Sequence, residues 1–362
     1  MRRAATARID LAALRHNFAR ARSLAGTSRV MAAIKANAYG HGMLEVAAAL
    51  READGFAVAC VGEALQLRAA GHAQRIFVLQ GARSFEEHEA AARQAVTLVV
   101  HHETQITYAE QSGASRPDYW VKLDTGMGRL GFAADCATEV LRRLGDTVTG
   151  IMSHFANADL RHDPRNLRQL ERFIGATAGL GLDRSMANSA AMFQLPDACF
   201  DWVRPGIMLY GGSPLATERA ETLGLRPVMQ LTAPLLAVNL HRRGDEIGYG
   251  GRFVCPEDMP VGLVAIGYAD GYHRVTAGST PVLVNGVACA LVGRVSMDML
   301  AVDLRSQPTA RAGDVAELWG PGLAVDDVAH GAGTIAYELL CAAGAACVRE
   351  YHDTSGVEWV SN

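Results

Sequence analysis

The chain has 362 residues, of which 49% are apolar and 20% are charged, with a formal net charge of −4. That balance is ordinary for a globular protein. It argues against a nucleic-acid surface, and no apolar run is long enough to span a bilayer.

The N-terminus, "MRRAATARID", begins basic, but no apolar stretch of signal-peptide type follows. A cytoplasmic protein is therefore expected. The first predicted element is a helix from Asp10 to Ser23, which puts Leu11, Leu14 and Phe18 on one face. Short β-type runs then recur at 29–34, 56–60, 75–80, 96–100, 119–124, 148–155, 184–188 and 202–210, separated by Ala-, Leu-, Arg- and Glu-rich helical stretches. In one of these, 166–180, apolar Leu167, Leu170, Phe173 and Ile174 fall at helical spacing. Eight strands alternating with helices predict an α/β fold with an N-terminal eight-stranded (β/α)8 TIM-type barrel. A doubly wound open sheet is the competing architecture.

Past "RPVMQLTAP" helical spacing fades. Runs such as "VGLVAIGY", "PVLVNGVACALVG" and "MLAVDL" lie between Gly, Pro and Asp punctuation, which predicts a mainly antiparallel β domain. One short helix, "TIAYELLCAAG", is expected to close it. The boundary falls near residue 232, giving domains 1–232 and 233–362.

In such barrels, chemistry sits where strands end. The expected strand ends carry Lys35 with Tyr39 and His41, Lys122 with Arg129, His154, Asn188 with Ser189, and Arg204. Each has a plain structural reading: a solvated lysine head, a satisfied histidine, an arginine holding a loop, a packed tyrosine ring. Their coincidence at one mouth is what points to a site. "GMGRLG", Gly126–Gly131, formally matches a dinucleotide-binding G-x-G-x-x-G, but it follows the fifth strand rather than opening a βαβ unit. Arg129 within it suits a carboxylate better than a tight pyrophosphate turn. P-loop, H-E-x-x-H and G-x-S-x-G patterns are absent from the sequence, and His41, His154 and Asp159 are too sparse for metal ligation, so no metal is expected. The seven cysteines are scattered and odd in number, which suits neither a disulfide framework nor a zinc site. A lysine in a barrel mouth, near a possible phosphate site at strands seven and eight, suggests pyridoxal phosphate.

Nine segments, in chain order, carry a resemblance: "AAIKANAYGHG", "KLDTGMGRLGF", "SHFANAD", "NSAA", "RPGIMLYG", "GYGGRF", "GYADGY", "GRVSMDM" and "AYELLC". Together they resemble the alanine racemases, over nearly the whole chain. The resemblance implies a fold-type III enzyme that uses pyridoxal 5′-phosphate to interconvert L- and D-alanine, supplying D-alanine. It also implies a head-to-tail homodimer with shared active sites. Lys35 matches the Schiff-base lysine and one catalytic base. Tyr249 matches the opposite base, reaching in from the partner. Arg204 matches the ligand of the pyridine nitrogen, and His154 the histidine that links it to the tyrosine. Tyr39, Ser189, Gly206, Ile207 and Tyr337 match phosphate-binding positions. Arg129, with Met297 from the partner, resembles the substrate-carboxylate contacts. Lys122 matches a lysine often carbamylated in the family, and Tyr268 and Asp298 resemble entrance residues. Ala336 departs from the family pattern, where Pro or Thr is frequent. A serine or broad-spectrum racemase remains an alternative, as does a barrel-type pyridoxal-phosphate decarboxylase. The decarboxylase usually places a carboxylate where Arg204 stands. A single-domain pyridoxal-phosphate-binding protein would lack the β domain.

Overall fold

The structure is a computed structural model that describes residues 4–113, 116–276 and 278–353. Eight short parallel strands, Arg29–Ala33, Gly55–Val58, Arg75–Val78, Thr97–Val100, Tyr119–Asp124, Val148–Met152, Asp183–Asn188 and Trp202–Arg204, pair in chain order. The ring closes where Trp202 and Val203 pair with Arg29 and Val30. This closure removes the open-sheet alternative. The strands are almost wholly buried, as expected when helices cover the outside and side chains fill the lumen.

One strand is much shorter than its apolar run. The eighth stops at Arg204 rather than Tyr210, because Pro205 has no N–H to give the ladder, and Ile207–Tyr210 forms a 3-10 turn instead. The sixth stops at Met152, so "SHF" belongs to the following loop.

Three aromatic rings fill part of the barrel. Phe77 meets Trp120 and Trp202 edge-on, each with centroids 5.2 Å apart. Glycine makes the room. A β-carbon on Gly55 would lie 2.9 Å from the Phe77 ring, and one on Gly150 would overlap the Trp120 indole. Gly150→Ala should therefore cost about 2–3 kcal/mol through overpacking, read as a lower Tm by thermal unfolding. An unchanged Tm would show that the indole has space to retreat.

The first helix, Leu11–Ala25, starts where the Asp10 carboxylate accepts the amides of Ala12 and Ala13 at 2.8 and 2.9 Å. It buries Leu11, Leu14 and Phe18 as expected. Helix Pro164–Thr177 corrects the expected apolar face. Leu170 and Phe173 are buried, but Leu167 and Ile174 are exposed. The buried arc is completed by polar Asn166 and Gln169, which hold the loop after the sixth strand. Asn166 Nδ2 donates to the Asn157 carbonyl at 2.9 Å, and Gln169 Nε2 to the His154 carbonyl at 3.1 Å.

The second sheet is mainly antiparallel. Strand Met229–His241 runs through it, pairing with Val315–Trp319 and Met259–Val264. The N-terminal strand Thr6–Asp10 lies in this sheet too, antiparallel to 229–232 and parallel to Val348–His352. The chain therefore starts in the β domain before building the barrel, and residue 232 lies inside a continuous strand. Two helices, Val325–Gly331 and Ala336–Ala346, accompany the sheet where one was expected. The second lies so close to the barrel mouth that neither Gly40 nor Gly344, facing each other, has space for a β-carbon. No helix among the described residues is long and apolar enough to cross a membrane.

Candidate active site

The first barrel strand ends at Ala33, and Lys35 opens an unusual turn. Ala36, Asn37, Ala38 and Tyr39 all have positive φ, between 52° and 54°. Such a left-handed turn costs roughly 1–2 kcal/mol per non-glycine residue, so it persists only where its surroundings hold it. Several groups do. Glu63 accepts the Ala36 amide at 2.8 Å and the Ala59 amide at 2.7 Å. Asn37 Oδ1 accepts the Met43 amide at 2.8 Å. The His41 Nδ1 lies 3.1 Å from the Ala38 carbonyl and 3.0 Å from that of Tyr39. The Tyr39 and His41 rings both stack on Tyr210, at 4.7 and 4.6 Å, and Tyr210 donates its hydroxyl to the Ala33 carbonyl.

His41 is fully buried, and burial pulls its pKa from 6.5 to about 4. It is neutral in the fold, so an unfolded chain binds a proton between these values that the native chain refuses. Its stabilising contribution is complete above pH 6.5 and is lost as pH falls toward 4, by about 3 kcal/mol. His154 titrates in the same sense. Denaturant unfolding across pH 7 to 4.5 should thus be markedly less acid-sensitive in His41→Asn; an unchanged slope would assign the sensitivity elsewhere.

Arg204, at the end of the eighth strand, is 7% exposed. Its guanidinium donates to Ser185 Oγ at 2.6 Å, to the Ser153 carbonyl at 2.5 Å and to the Met186 carbonyl at 3.3 Å. His154 Nδ1 lies 3.3 Å from it. Burial lowers the Arg204 pKa to about 10. Burial, and then the neighbouring Arg204 and Lys122, hold His154 well below its ordinary value, so it is the neutral acceptor of the arginine's proton. Lys122 is brought down to about 8 by burial, with Arg204, Arg129 and Lys35 adding repulsion. Lys35 is lowered by burial and then by Arg129. Lys35, Lys122, Arg129, His154 and Arg204 thus form one electrostatic cluster. It is rich in cations, and a buried guanidinium there has only neutral acceptors for partners. Buried charge without a counter-charge is costly, so this mouth is built for an anion.

A second group adjoins it. Ser189 opens the helix Ser189–Gln194, and its hydroxyl accepts the Gly206 amide at 2.8 Å. A β-carbon on Gly206 would come within 2.6 Å of the Tyr39 hydroxyl, so glycine lets that hydroxyl lie close against the backbone. Tyr337 approaches Tyr39 with centroids 5.8 Å apart. Ile207 is fully buried, and a β-carbon on Gly212 would meet both its side chain and that of Ala336. Tyr39, Ser189, Gly206, Ile207 and Tyr337 therefore meet at one place. Hydroxyls, a free backbone approach and nearby cations there fit a phosphate group.

The dinucleotide reading of Gly126–Gly131 fails on geometry. The Asp124 carboxylate already accepts the amides of Gly126, Met127 and Gly128, at 2.8–3.2 Å. Those amides are unavailable to a pyrophosphate, and the wound loop instead presents Arg129 to the mouth.

Tyr249, Tyr268, Met297 and Asp298 lie apart, on the β domain. Tyr268 and Ala269 donate backbone bonds to the carbonyls of Ser296 and Met297, at 3.1 and 3.0 Å. Tyr249 is 68% exposed and Met297 53%. Among the described residues, the side chains of Tyr249, Tyr268 and Met297 share no hydrogen bond or ring contact with the Lys35–Arg204 cluster. Sequence reasoning missed Glu63, Ser153, Ser185 and Tyr210. Of these, Ser153, inside "SHFANAD", and Tyr210, inside "RPGIMLYG", stood in segments already singled out.

Two family models match the chain: alanine racemase, N-terminal domain, over residues 9–214, and alanine racemase, C-terminal domain, over 228–351. The alanine racemase of Thioalkalivibrio sulfidiphilus is 50% identical over 359 residues, covering 97% of this chain and 99% of its own. That of Nitrosococcus oceani is 50% identical, covering 92% and 95%. The crystal structure of the biosynthetic alanine racemase from Pseudomonas aeruginosa superposes with a TM-score of 0.94 at 45% identity, covering 97% of this chain and all of that one. The Bartonella henselae alanine racemase, solved with covalently bound pyridoxal phosphate, gives 0.88 at 29% identity, covering 96% and 99%.

Proposed function

The chain belongs to the alanine racemase family, isomerases of amino acids, and on that premise we propose that it interconverts L- and D-alanine with pyridoxal 5′-phosphate held covalently by Lys35, supplying D-alanine. The observation that carries this reading is the charge balance of the mouth. Buried Arg204 has neutral partners, Lys122 and Arg129 add positive charge, and burial inclines the Lys35 amine toward its neutral, nucleophilic form. A dianionic phosphate beside Tyr39, Ser189, Gly206, Ile207 and Tyr337 balances that charge. Bound there, the cofactor supplies the electron withdrawal that acidifies the Cα–H bond of the amino acid.

The remaining chemistry belongs to the protein. Inversion needs a base on each face of the α-carbon. Lys35 Nζ takes or returns the proton on one face, and Tyr249 of the partner subunit serves the other. Arg204, which keeps its own proton at neutral pH, would hold the cofactor's ring nitrogen without protonating it, and this would limit electron withdrawal. Neutral His154 holds the arginine from behind. Arg129, with Met297 of the partner subunit, binds the substrate carboxylate. Lys122, once carbamylated, would become an anion able to steady Arg129, and Tyr268 and Asp298 of the partner subunit line the entrance. The seven cysteines are free thiols, which suits the reducing cytoplasm in which we place the enzyme.

The exposure of Tyr249 and Met297 supports a head-to-tail dimer, since neither side chain makes a hydrogen bond or ring contact among the described residues. Mixing inactive Lys35→Ala with inactive Tyr249→Phe tests this. Mixed dimers would carry one intact site and one doubly defective site, so about a quarter of wild-type activity should return after subunit exchange. No recovery would mean that each chain completes its own site. The activity itself is tested by incubating L-alanine with the loaded enzyme in deuterated water. Racemic alanine carrying deuterium at Cα is expected; unlabelled L-alanine would refute the proposal.

A further inference from the structure

We propose that Glu63 is a positioning residue for Lys35, clamping the peptide that follows the lysine and setting one carboxylate against the cations of the mouth. The inference rests on the cofactor reading above. Glu63 stands in the first turn of the helix Val61–Ala69, which follows the second barrel strand. Its two carboxylate oxygens divide their work. One takes the amide of Ala36, the residue after Lys35; the other takes the amide of Ala59, at the end of the neighbouring strand. The carboxylate therefore ties the ends of strands one and two together at the point where the left-handed turn begins.

That point is where a clamp matters most. Four consecutive positive-φ residues tend to relax toward ordinary backbone. The far end of the turn is held by His41 and by the Tyr39–Tyr210 stack. The near end, which sets the direction of the Lys35 side chain, has Glu63. The other groups that act on the Lys35 amine are Arg129, Arg204, Lys122 and the Cys341 thiol. Glu63 is the carboxylate in that set and opposes the three cations. A glutamine in its place would accept only one of the two amides, because its nitrogen end donates, and would carry no charge.

The test uses Glu63→Gln and Glu63→Asp. In the cofactor-free chain, hydrogen exchange at the Ala36 and Ala59 amides should quicken at least tenfold in Glu63→Gln. In the enzyme loaded with pyridoxal phosphate, the visible absorption change on raising pH reports loss of the proton on the lysine–cofactor nitrogen. Removing a nearby anion destabilises that proton, so the midpoint should fall by about one pH unit. The turnover number should drop tenfold or more, with KM little changed. Glu63→Asp keeps the charge but is too short for both amides. Its exchange should quicken and its turnover drop while its midpoint stays near wild type, and it carries the test if Glu63→Gln fails to fold. A merely structural glutamate would lower Tm and quicken exchange but leave midpoint and turnover unmoved, and that result overturns the inference. Equal midpoint shifts in both variants overturn it too, since charge would not be the cause. If borohydride fixes no cofactor to Lys35 in the wild type, the cofactor reading fails instead, a result separate from the exchange data.

Discussion

Lys35→Ala is expected to remain folded, to lose covalent cofactor entirely, and to racemise alanine at least about 10⁴-fold more slowly, the upper range for removing a proton-transferring group. The fold should survive because the amine makes no hydrogen bond among the described residues and sits among cations. Deleting one positive charge relieves repulsion with Arg129, Arg204 and Lys122. Tm should hold or rise slightly in the cofactor-free chain. Borohydride reduction followed by peptide mapping reads the covalent link, and chiral chromatography reads the rate. Added methylamine should restore a small fraction of the rate, because the missing group is a primary amine in an open mouth. A variant that still fixes cofactor would place the link on another lysine.

Arg204→Met should damage both stability and turnover, and magnitudes decide the first. Burial holds the arginine's pKa about 2.5 units low, which amounts to roughly 3 kcal/mol of cost for carrying the charge there. Removing the charge recovers that. The same change removes the charged hydrogen bonds to Ser185 Oγ, two carbonyls and His154 Nδ1, and such bonds are each worth about 1.5–3 kcal/mol. The bonds win, and a net loss of about 2–4 kcal/mol is expected by denaturant unfolding. Turnover should fall about 10³-fold, because a preorganised charge beside the reacting group is removed, while KM changes less. An equally stable and active variant would mean that the guanidinium is only packing.

The barrel was legible because parallel strands buried on both faces read as short apolar runs, and eight of them recur with helices between. Strand lengths were less legible. "IMLY" continues the apolar run after Arg204, and only the missing N–H of Pro205 and the turn at Gly206 stop the strand. In helix Pro164–Thr177, apolar spacing suggested a face of Leu167, Leu170, Phe173 and Ile174, whereas Asn166 and Gln169 claim part of the buried side for backbone carbonyls of the preceding loop. Lys35, Arg204 and Ser189 were legible because each closes a strand in a distinctive segment. Glu63 and Ser185 were not. One looks like a solvated helix acid and the other like an ordinary strand serine, and only folding brings them to Ala36 and Arg204.

The strand Thr6–Asp10 also sets a timetable. Its parallel neighbour, Val348–His352, lies more than three hundred residues further along the chain, so a ribosome reaches it long after Thr6–Asp10. At roughly 5–20 residues per second, the gap is on the order of tens of seconds. The barrel has all eight staves once Arg204 has emerged, whereas the N-terminal strand waits, edge unpaired, until Met229–His241 arrives on one side and Val348–His352 on the other. That strand is therefore the last of the sheet to find both its partners, and the exposed-edge hazard of this pairing during synthesis falls on Thr6–Asp10.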